Sequence, residues 1–107
     1  MSLDFTITEN NEDGVELWWR NITHNVNKMA DKCGLYKPLW CANEYESNKD
    51  IVEGISSGIK KAIEMRWELE AMNPENGWGS HKDLLLFAYA VRDALIEFPH
   101  GIVHISK

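Results

Sequence analysis

Two short polar segments contain most of the side chains that could do chemistry: Asn-Ile-Thr-His-Asn at 21–25 and Asn-Gly-Trp-Gly-Ser at 76–80. Each segment precedes a stretch with helical periodicity, so its backbone N–H groups are expected at a helix N-terminus, where an anion or a carbonyl oxygen is stabilised. Their side chains can donate and accept hydrogen bonds. The sequence therefore predicts a polar ligand-binding pocket built from both segments, with seven lining residues: Asn21, Thr23, His24, Asn25, Asn76, Trp78 and Ser80.

The same side chains also have a purely structural interpretation, because Asn, Thr and Ser are preferred at helix N-caps and in turns. In that interpretation Thr23 or Asn21 caps the first helix and Ser80 caps the last. Asn25 and Asn76 then bind loop backbone. The sequence leaves both interpretations open.

Trp78 lies between Gly77 and Gly79, and this arrangement also allows two interpretations. Flanking glycines let the chain turn sharply, so the indole can fold back over the ends of the two long helices and be buried there. Alternatively, the indole is held out as a stacking surface for a ligand. Such surfaces usually accompany a basic groove, and this chain has a formal charge of −6. The sequence therefore favours a buried, structural Trp78.

Signatures of catalysis and of metal or cofactor binding are missing from the sequence. The four histidines form no His-x-x-x-His pair, and the spacing of Cys33 and Cys41 matches no zinc knuckle. No catalytic residue, metal or cofactor is predicted. In an alternative reading the protein is a small hydrolase or transferase, with His24 as general base and Asn25 beside an oxyanion or phosphate.

Composition restricts the partners of the protein. Eleven Lys and Arg are scattered among seventeen Asp and Glu, which argues against duplex nucleic acid because phosphates are neutralised by clustered basic residues. No apolar run is long enough for a membrane span, and no signal peptide opens the chain. Two cysteines are too few for a disulfide framework and are expected to stay reduced. The sequence predicts a single cytoplasmic domain over residues 1–107, with no membrane partner.

The elements that position the two segments are predicted from periodicity. Alternating apolar and polar residues indicate strands, and apolar residues at helical spacing indicate helices. Ser-x-x-Asp capping patterns at 47–50 and 80–83 begin two of the helices. The predicted strands lie near 3–9, 15–22 and 102–106, and the predicted helices near 24–33, 48–72 and 80–98. The fold class is α+β, in the order β-β-α-α-α-β, with three helices packed on a small, mostly antiparallel sheet.

The same periodicity assigns the core of the second strand and of the middle helix. Trp19 has apolar neighbours on its side of the strand and is expected in the core, whereas Trp18 is expected to be half exposed. Gly54 and Gly58, one turn apart, predict that another segment packs closely there, because each costs about 1 kcal/mol relative to alanine. The buried stripe of the middle helix is predicted to be Ile51, Val52, Ile55, Ile59, Ala62, Ile63 and Trp67.

The last helix is apolar around much of its circumference. Beyond its core stripe it presents Leu85, Leu86, Tyr89 and Ala90. A helix of this kind is either buried within the monomer or part of a subunit interface. We expect one of the two, with a homodimer through 80–98 favoured.

Thr23-x-Asn25-x-x-x-Met29 and Asn73-Pro-Glu-Asn-Gly-Trp-Gly79 resemble segments of a family of small uncharacterised proteins from tailed bacteriophages and scattered bacterial genomes. The resemblance extends from about Trp18 to Ser106. It implies a small accessory protein in a bacterial host cytoplasm and transfers no catalytic residue. The function predicted from the sequence is non-catalytic binding of a host protein or a small polar ligand. The alternatives are the His24-dependent enzyme and a structural component of an assembly.

Overall fold

Three antiparallel strands form one sheet in the order β2-β1-β3 in the computed structural model, which describes residues 1–107. The strands are β1 (Ser2–Thr8), β2 (Glu16–Thr23) and β3 (Ile102–Ser106). β1 is central because the last strand of the chain pairs with the first, from Asp4↔Ser106 to Thr8↔Ile102. The α+β class, the order of two strands, then helices, then a last strand, and the antiparallel sheet are confirmed, but five α-helices are present where three were predicted.

Helices fill the chain between β2 and β3. They are α1 (Asn27–Lys32), α2 (Tyr36–Trp40), α3 (Asn48–Glu64), α4 (Arg66–Glu70) and α5 (His81–Glu97). Short 3-10 turns at His24–Val26 and Ala42–Glu44 precede α1 and follow α2. The predicted Ser-x-x-Asp caps are present: Ser47 accepts a hydrogen bond from the Asp50 N–H, and Ser80 accepts one from the Asp83 N–H. None of the helices has the length and apolar composition needed to cross a membrane.

The predicted helix over 48–72 is interrupted at Met65, and the assignment of its buried stripe is wrong at its C-terminal end. Ile63 and Trp67 are 52% and 79% exposed, and Val52 is only half-buried. Successive residues are rotated by about 100° around a helix axis. Residues spaced four apart, counted from Ile51, are therefore rotated by roughly 40° more at each step, away from the face on which Ile51 lies. The actual stripe continues through Ala62 to Leu69, both fully buried.

The assignment of Trp19 to the core is also wrong, whereas Trp18 is half-exposed, as predicted. Trp18 lies on the core side, where its ring meets Phe5 edge to face at 6.2 Å, whereas Trp19 is 49% exposed on the outer face. The cause is a register shift in the pairing of β1 with β2. It lies between Ile7 and Thr8 of β1, opposite the first residues of β2, and it interrupts the alternation of β2 side chains between the two faces of the sheet. The apolar residues before the shift therefore do not mark the buried face of the residues after it.

The glycines of α3 allow the close packing predicted from the sequence. A β-carbon added at Gly58 would lie 2.5 Å from Leu35 Cδ2, and one added at Gly54 would lie 3.1 Å from Pro38 Cβ. The segment that contains α2 therefore packs directly against α3. This packing also fixes the position of Trp40 at the end of α2, which is 1% exposed.

The core face of α5 is buried as predicted, from Leu84 to Leu95. Of its additional apolar residues, Leu85, Tyr89 and Ala90 are half-buried, whereas Leu86 is 57% exposed. The expectation of near-complete burial within the monomer is therefore wrong for Leu86. A groove lies between α5 and the residues on either side of the α3–α4 break, Ile63 and Arg66, and Leu86 lines it.

Candidate functional site

Six of the seven residues predicted from the sequence line one open cleft of about 660 Å³ at the end of the sheet. The lining residues are Met1, Ser2, Asn21, Thr23, His24, Asn25, Asn76 and Trp78. Two segments that are 53 residues apart in sequence meet there, joined by a hydrogen bond from Asn25 Nδ2 to the Trp78 carbonyl oxygen at 3.3 Å. Ser80 lies outside the cleft, with its hydroxyl engaged at the N-terminus of α5.

The first wall of the cleft is the junction between β2 and the helical layer. Thr23 is the last residue of the strand, and its Oγ1 accepts a hydrogen bond from the Asn25 N–H at 3.2 Å. This bond turns the chain into the 3-10 turn, and fully buried Val26 anchors the turn in the core. Strand and turn together place the side chains of Asn21, Thr23 and Asn25 along the same rim.

His24 is held in this wall by a residue of the core. The indole N–H of Trp40 donates a hydrogen bond to His24 Nδ1 at 3.0 Å. The Trp40 ring is itself held in place by stacking on Tyr36, with centroids 5.5 Å apart and planes 8° apart. An indole N–H is only a donor, so His24 Nδ1 is an acceptor, and in the neutral ring the proton is on Nε2.

The second wall is the loop between α4 and α5, and its backbone is restrained by its own asparagines. Asn73 Oδ1 accepts a hydrogen bond from the His81 N–H at 2.8 Å, which closes the loop over the start of α5. Asn76 Oδ1 accepts one from the Trp78 N–H at 2.9 Å, and the Gly77 N–H donates to the Pro74 carbonyl oxygen. The loop is therefore held in one conformation around its tip.

Gly79 brings the two walls together. A β-carbon at this position would lie 2.7 Å from Thr23 Cγ2 and 2.9 Å from Val26 Cγ1, closer than packed carbons approach. Its φ of 96° also lies in the region that only glycine adopts readily. The loop backbone, rather than a side chain, thus contacts the first wall.

This contact explains why the prediction of a buried Trp78 is wrong. The indole is 72% exposed, and it is the Gly79 backbone, not the ring, that packs against Thr23 and Val26. Trp78 instead forms part of the cleft wall. The glycines do turn the chain sharply, as predicted, with φ of 75° at Gly77 and 96° at Gly79.

The capping interpretation and the site interpretation are both compatible with the structure. Thr23, Asn25, Asn76 and Ser80 each make one of the structural hydrogen bonds expected of caps and turns. Each asparagine uses only one end of its amide in this way, and the other end is available to a ligand. The same residues therefore shape the loop and line the cleft.

No charged side chain lines the cleft, and no group of three or more His, Cys, Asp or Glu in the protein is arranged to hold a metal ion. The lining side chains are amides, hydroxyls, one imidazole, one indole and the thioether of Met1. Such a set binds polar, uncharged groups through hydrogen bonds and aromatic stacking.

Sequence reasoning missed two residues. Trp40, which orients His24, lies 16 residues away in the sequence and has no local pattern that indicates the contact. His81 is 5% exposed, and its Nε2–H donates to the Ala62 carbonyl oxygen at 2.9 Å, which ties α5 to α3.

The chain matches no protein-family model, and no curated protein or solved structure is detectably similar to it. The function of the cleft therefore has to be inferred from its geometry and chemistry.

Proposed function

We propose that this protein is a small, non-catalytic accessory protein that binds an uncharged polar molecule with a flat face in the cleft between residues 21–25 and 76–78. The observation that carries the proposal is the exposed Trp78 indole, held on a restrained loop beside polar atoms that have no partner within the protein.

The exposure of Trp78 contributes little to folding, since its large apolar surface stays in contact with water. A side chain of this kind gains binding energy when a flat molecule covers it, and stacking of an aromatic ring on an indole is worth about 1–3 kcal/mol. The hydrogen bonds at Asn25 and Asn76 fix the loop before any ligand arrives. Less conformational entropy is then lost on binding.

The absence of charged side chains from the lining favours an uncharged ligand. An anion in this cleft would meet no Lys or Arg, and the formal charge of the whole chain is −6. A cation would find no carboxylate there. Neutral hydrogen-bonding groups match the cleft without leaving an ion unpaired.

The geometry of His24 weighs against the enzyme alternative. A general base needs an available lone pair, and the lone pair on Nδ1 accepts the hydrogen bond of the Trp40 indole. The other ring nitrogen, Nε2, carries the proton in this arrangement. His24 thus presents a donor to the cleft, which suits recognition rather than proton abstraction.

The proposal is tested by titrating the 15N-labelled protein with uridine and, separately, with methyl β-glucoside. We expect at least one of them to shift the Trp78 indole resonance and the backbone amides of residues 23–25 and 76–80. Trp78→Ala, which has no indole resonance at this position, should abolish the shifts of the backbone amides of residues 23–25 and 76–80. Trp67→Ala is the matched control, since Trp67 is an equally exposed indole, 79% exposed, outside the cleft.

Trp78→Ala should also leave the melting temperature close to that of the parent. A buried tryptophan would cost about 3–5 kcal/mol on truncation, and Trp78 is not buried. Failure of both probes to bind in the cleft, or binding that Trp78→Ala leaves intact, would contradict the proposed function.

A further inference from the structure

We infer that the cleft selects a planar molecule whose edge presents hydrogen-bond acceptors, such as a carbonyl-bearing heterocycle, and that Trp40 is the positioning residue that makes His24 a donor for it. The inference rests on the proposed function and specifies its ligand class. Its basis is that three polar side chains of the cleft are hydrogen-bonded to partners that can only donate or only accept. Each partner therefore fixes which atom of the side chain faces it.

The first of these side chains is His24. Its Nδ1 must be unprotonated to accept the hydrogen bond from the Trp40 indole, which can only donate. Because Trp40 is 1% exposed and stacked on Tyr36, its N–H has no alternative partner in water. The neutral ring therefore keeps its proton on Nε2, as a donor.

The two asparagine amides are fixed by the backbone of Trp78. The Trp78 N–H must donate, so the atom of Asn76 that faces it is Oδ1, and the Asn76 NH₂ group is left for the cleft. The Trp78 carbonyl must accept, so the atom of Asn25 that faces it is Nδ2, and Oδ1 is left. Neither amide can be flipped without losing its bond.

The indole of Trp78 adds a further donor, since the hydrogen bonds of Trp78 within the protein are made by its backbone only. The cleft therefore has three groups that can only donate a hydrogen bond, on His24, Asn76 and Trp78. It has one group that can only accept, on Asn25. The hydroxyl groups and Asn21 can serve in either role. A ligand that fits is richer in acceptors than in donors.

Two further properties of the ligand, a flat ring and the absence of charge, follow from the lining of the cleft. The exposed indole favours a planar π system over a saturated ring, and the lining offers no Lys or Arg side chain to a phosphate. Uridine has a flat ring with two carbonyl oxygens and no charge. Uridine is therefore the probe of choice, with three matched comparisons.

The first experiment concerns His24 in the protein without ligand. Long-range 15N–1H spectra of the imidazoles should show a protonated Nε2 and an unprotonated Nδ1 for His24 in the parent. In Trp40→Phe, which lacks the indole N–H, this preference should be lost. A parent His24 protonated on Nδ1 would overturn the inference whether or not Trp40→Phe folds, and would leave the proposed function standing.

The second experiment compares affinities by calorimetry. We expect uridine to bind at least tenfold more tightly than methyl β-glucoside, and more tightly than 5,6-dihydrouridine, which keeps both carbonyls but loses the flat ring. Uridine 5′-monophosphate should gain no affinity over uridine. Tighter binding of the glucoside in a Trp78-dependent manner would overturn the ligand class but not the site, whereas no binding of any probe would overturn both.

A pair of asparagine variants tests the donor role directly. Asn76→Asp keeps the oxygen that accepts from the Trp78 N–H but removes the NH₂ donor, so uridine affinity should fall at least tenfold. Asn73→Asp introduces the same charge in the same loop and keeps the oxygen that accepts from the His81 N–H, but Asn73 does not line the cleft, so this variant should change the affinity less than threefold. Equal losses in the two variants would show that charge, not the lost donor, is responsible and would overturn the assignment.

Discussion

At the scale of single residues, Gly77 and Gly79 flank the same tryptophan but differ in their surroundings. Both have positive φ, at which a β-carbon costs about 1–2 kcal/mol. An added β-carbon would have open space at Gly77, whereas at Gly79 it would overlap Thr23 and Val26.

We therefore expect Gly77→Ala to lower the free energy of unfolding by about 1–2 kcal/mol and Gly79→Ala to lower it by roughly 1–3 kcal/mol more. Urea denaturation of the two variants measures the difference. Equal losses would mean that the loop does not rest on the first wall of the cleft in the way described.

Cys33 is a second residue whose behaviour follows from its surroundings. Both cysteines are free thiols, and burial raises the pKa of the Cys33 thiol above its ordinary value of 9.0. The folded state therefore holds this proton more strongly than the unfolded state. The resulting stability is present below the unfolded pKa and is lost as the pH rises through the folded pKa.

We expect Cys33→Ala to reduce the decline in the free energy of unfolding on going from neutral to strongly alkaline pH. The measurement is urea denaturation of parent and variant at matched pH values, so that other titrating groups cancel. In the folded protein at neutral pH, iodoacetamide should modify half-buried Cys41 and spare Cys33. A parallel alkaline decline in the two proteins would refute the assignment to Cys33.

At the scale of the elements, the contact between the α2 segment and α3 depends on two glycines that the packing treats differently. In a helix, alanine is more stabilising than glycine by about 1 kcal/mol. At Gly54 the nearest contact to an added methyl is Pro38 Cβ at 3.1 Å, so a shift of a few tenths of an ångström is enough to accommodate it. At Gly58 the methyl would lie 2.5 Å from Cδ2 and 2.7 Å from Cγ of the fully buried Leu35, so a larger shift within the core is needed.

We predict that the free energy of unfolding of Gly54→Ala stays within about 1 kcal/mol of that of the parent, because the higher helix propensity of alanine offsets the mild crowding. Gly58→Ala should destabilise by about 1–3 kcal/mol, as overpacked cores do. Thermal and urea unfolding of both variants provide the test. Stabilisation by Gly58→Ala would show that α2 and α3 are further apart than the structure places them.

At the scale of the whole molecule, the exposed apolar surface along α5 bears on association. Leu86 and Ile63 are 57% and 52% exposed beside a groove of about 460 Å³ between α5 and the α3–α4 break. The homodimer predicted from the sequence stays a prediction, and this groove is its expected contact.

We expect the protein to sediment as a dimer at micromolar concentration and Leu86→Lys to sediment as a monomer. Ile96→Lys is the matched control, because Ile96 is 59% exposed on the same helix but does not line the groove. A parent that is monomeric across the concentration range would rule out association through this surface.

Sequence reasoning determined the features that depend on local patterns. Alternation and helical spacing indicated the three strands and the long helices, and Ser47 and Ser80 indicated where α3 and α5 begin, because capping involves only neighbouring residues. The two polar junctions that form the cleft were also identified, since each is a break in local periodicity.

The tertiary structure alone decided the features that depend on contacts between distant residues. The exposure of Trp78 follows from the approach of Gly79 to Thr23, and the donor role of His24 follows from Trp40. The sides of Trp18 and Trp19 follow from a register shift against β1. In each case the local pattern is compatible with two arrangements, and a contact with a segment far along the chain selects one of them.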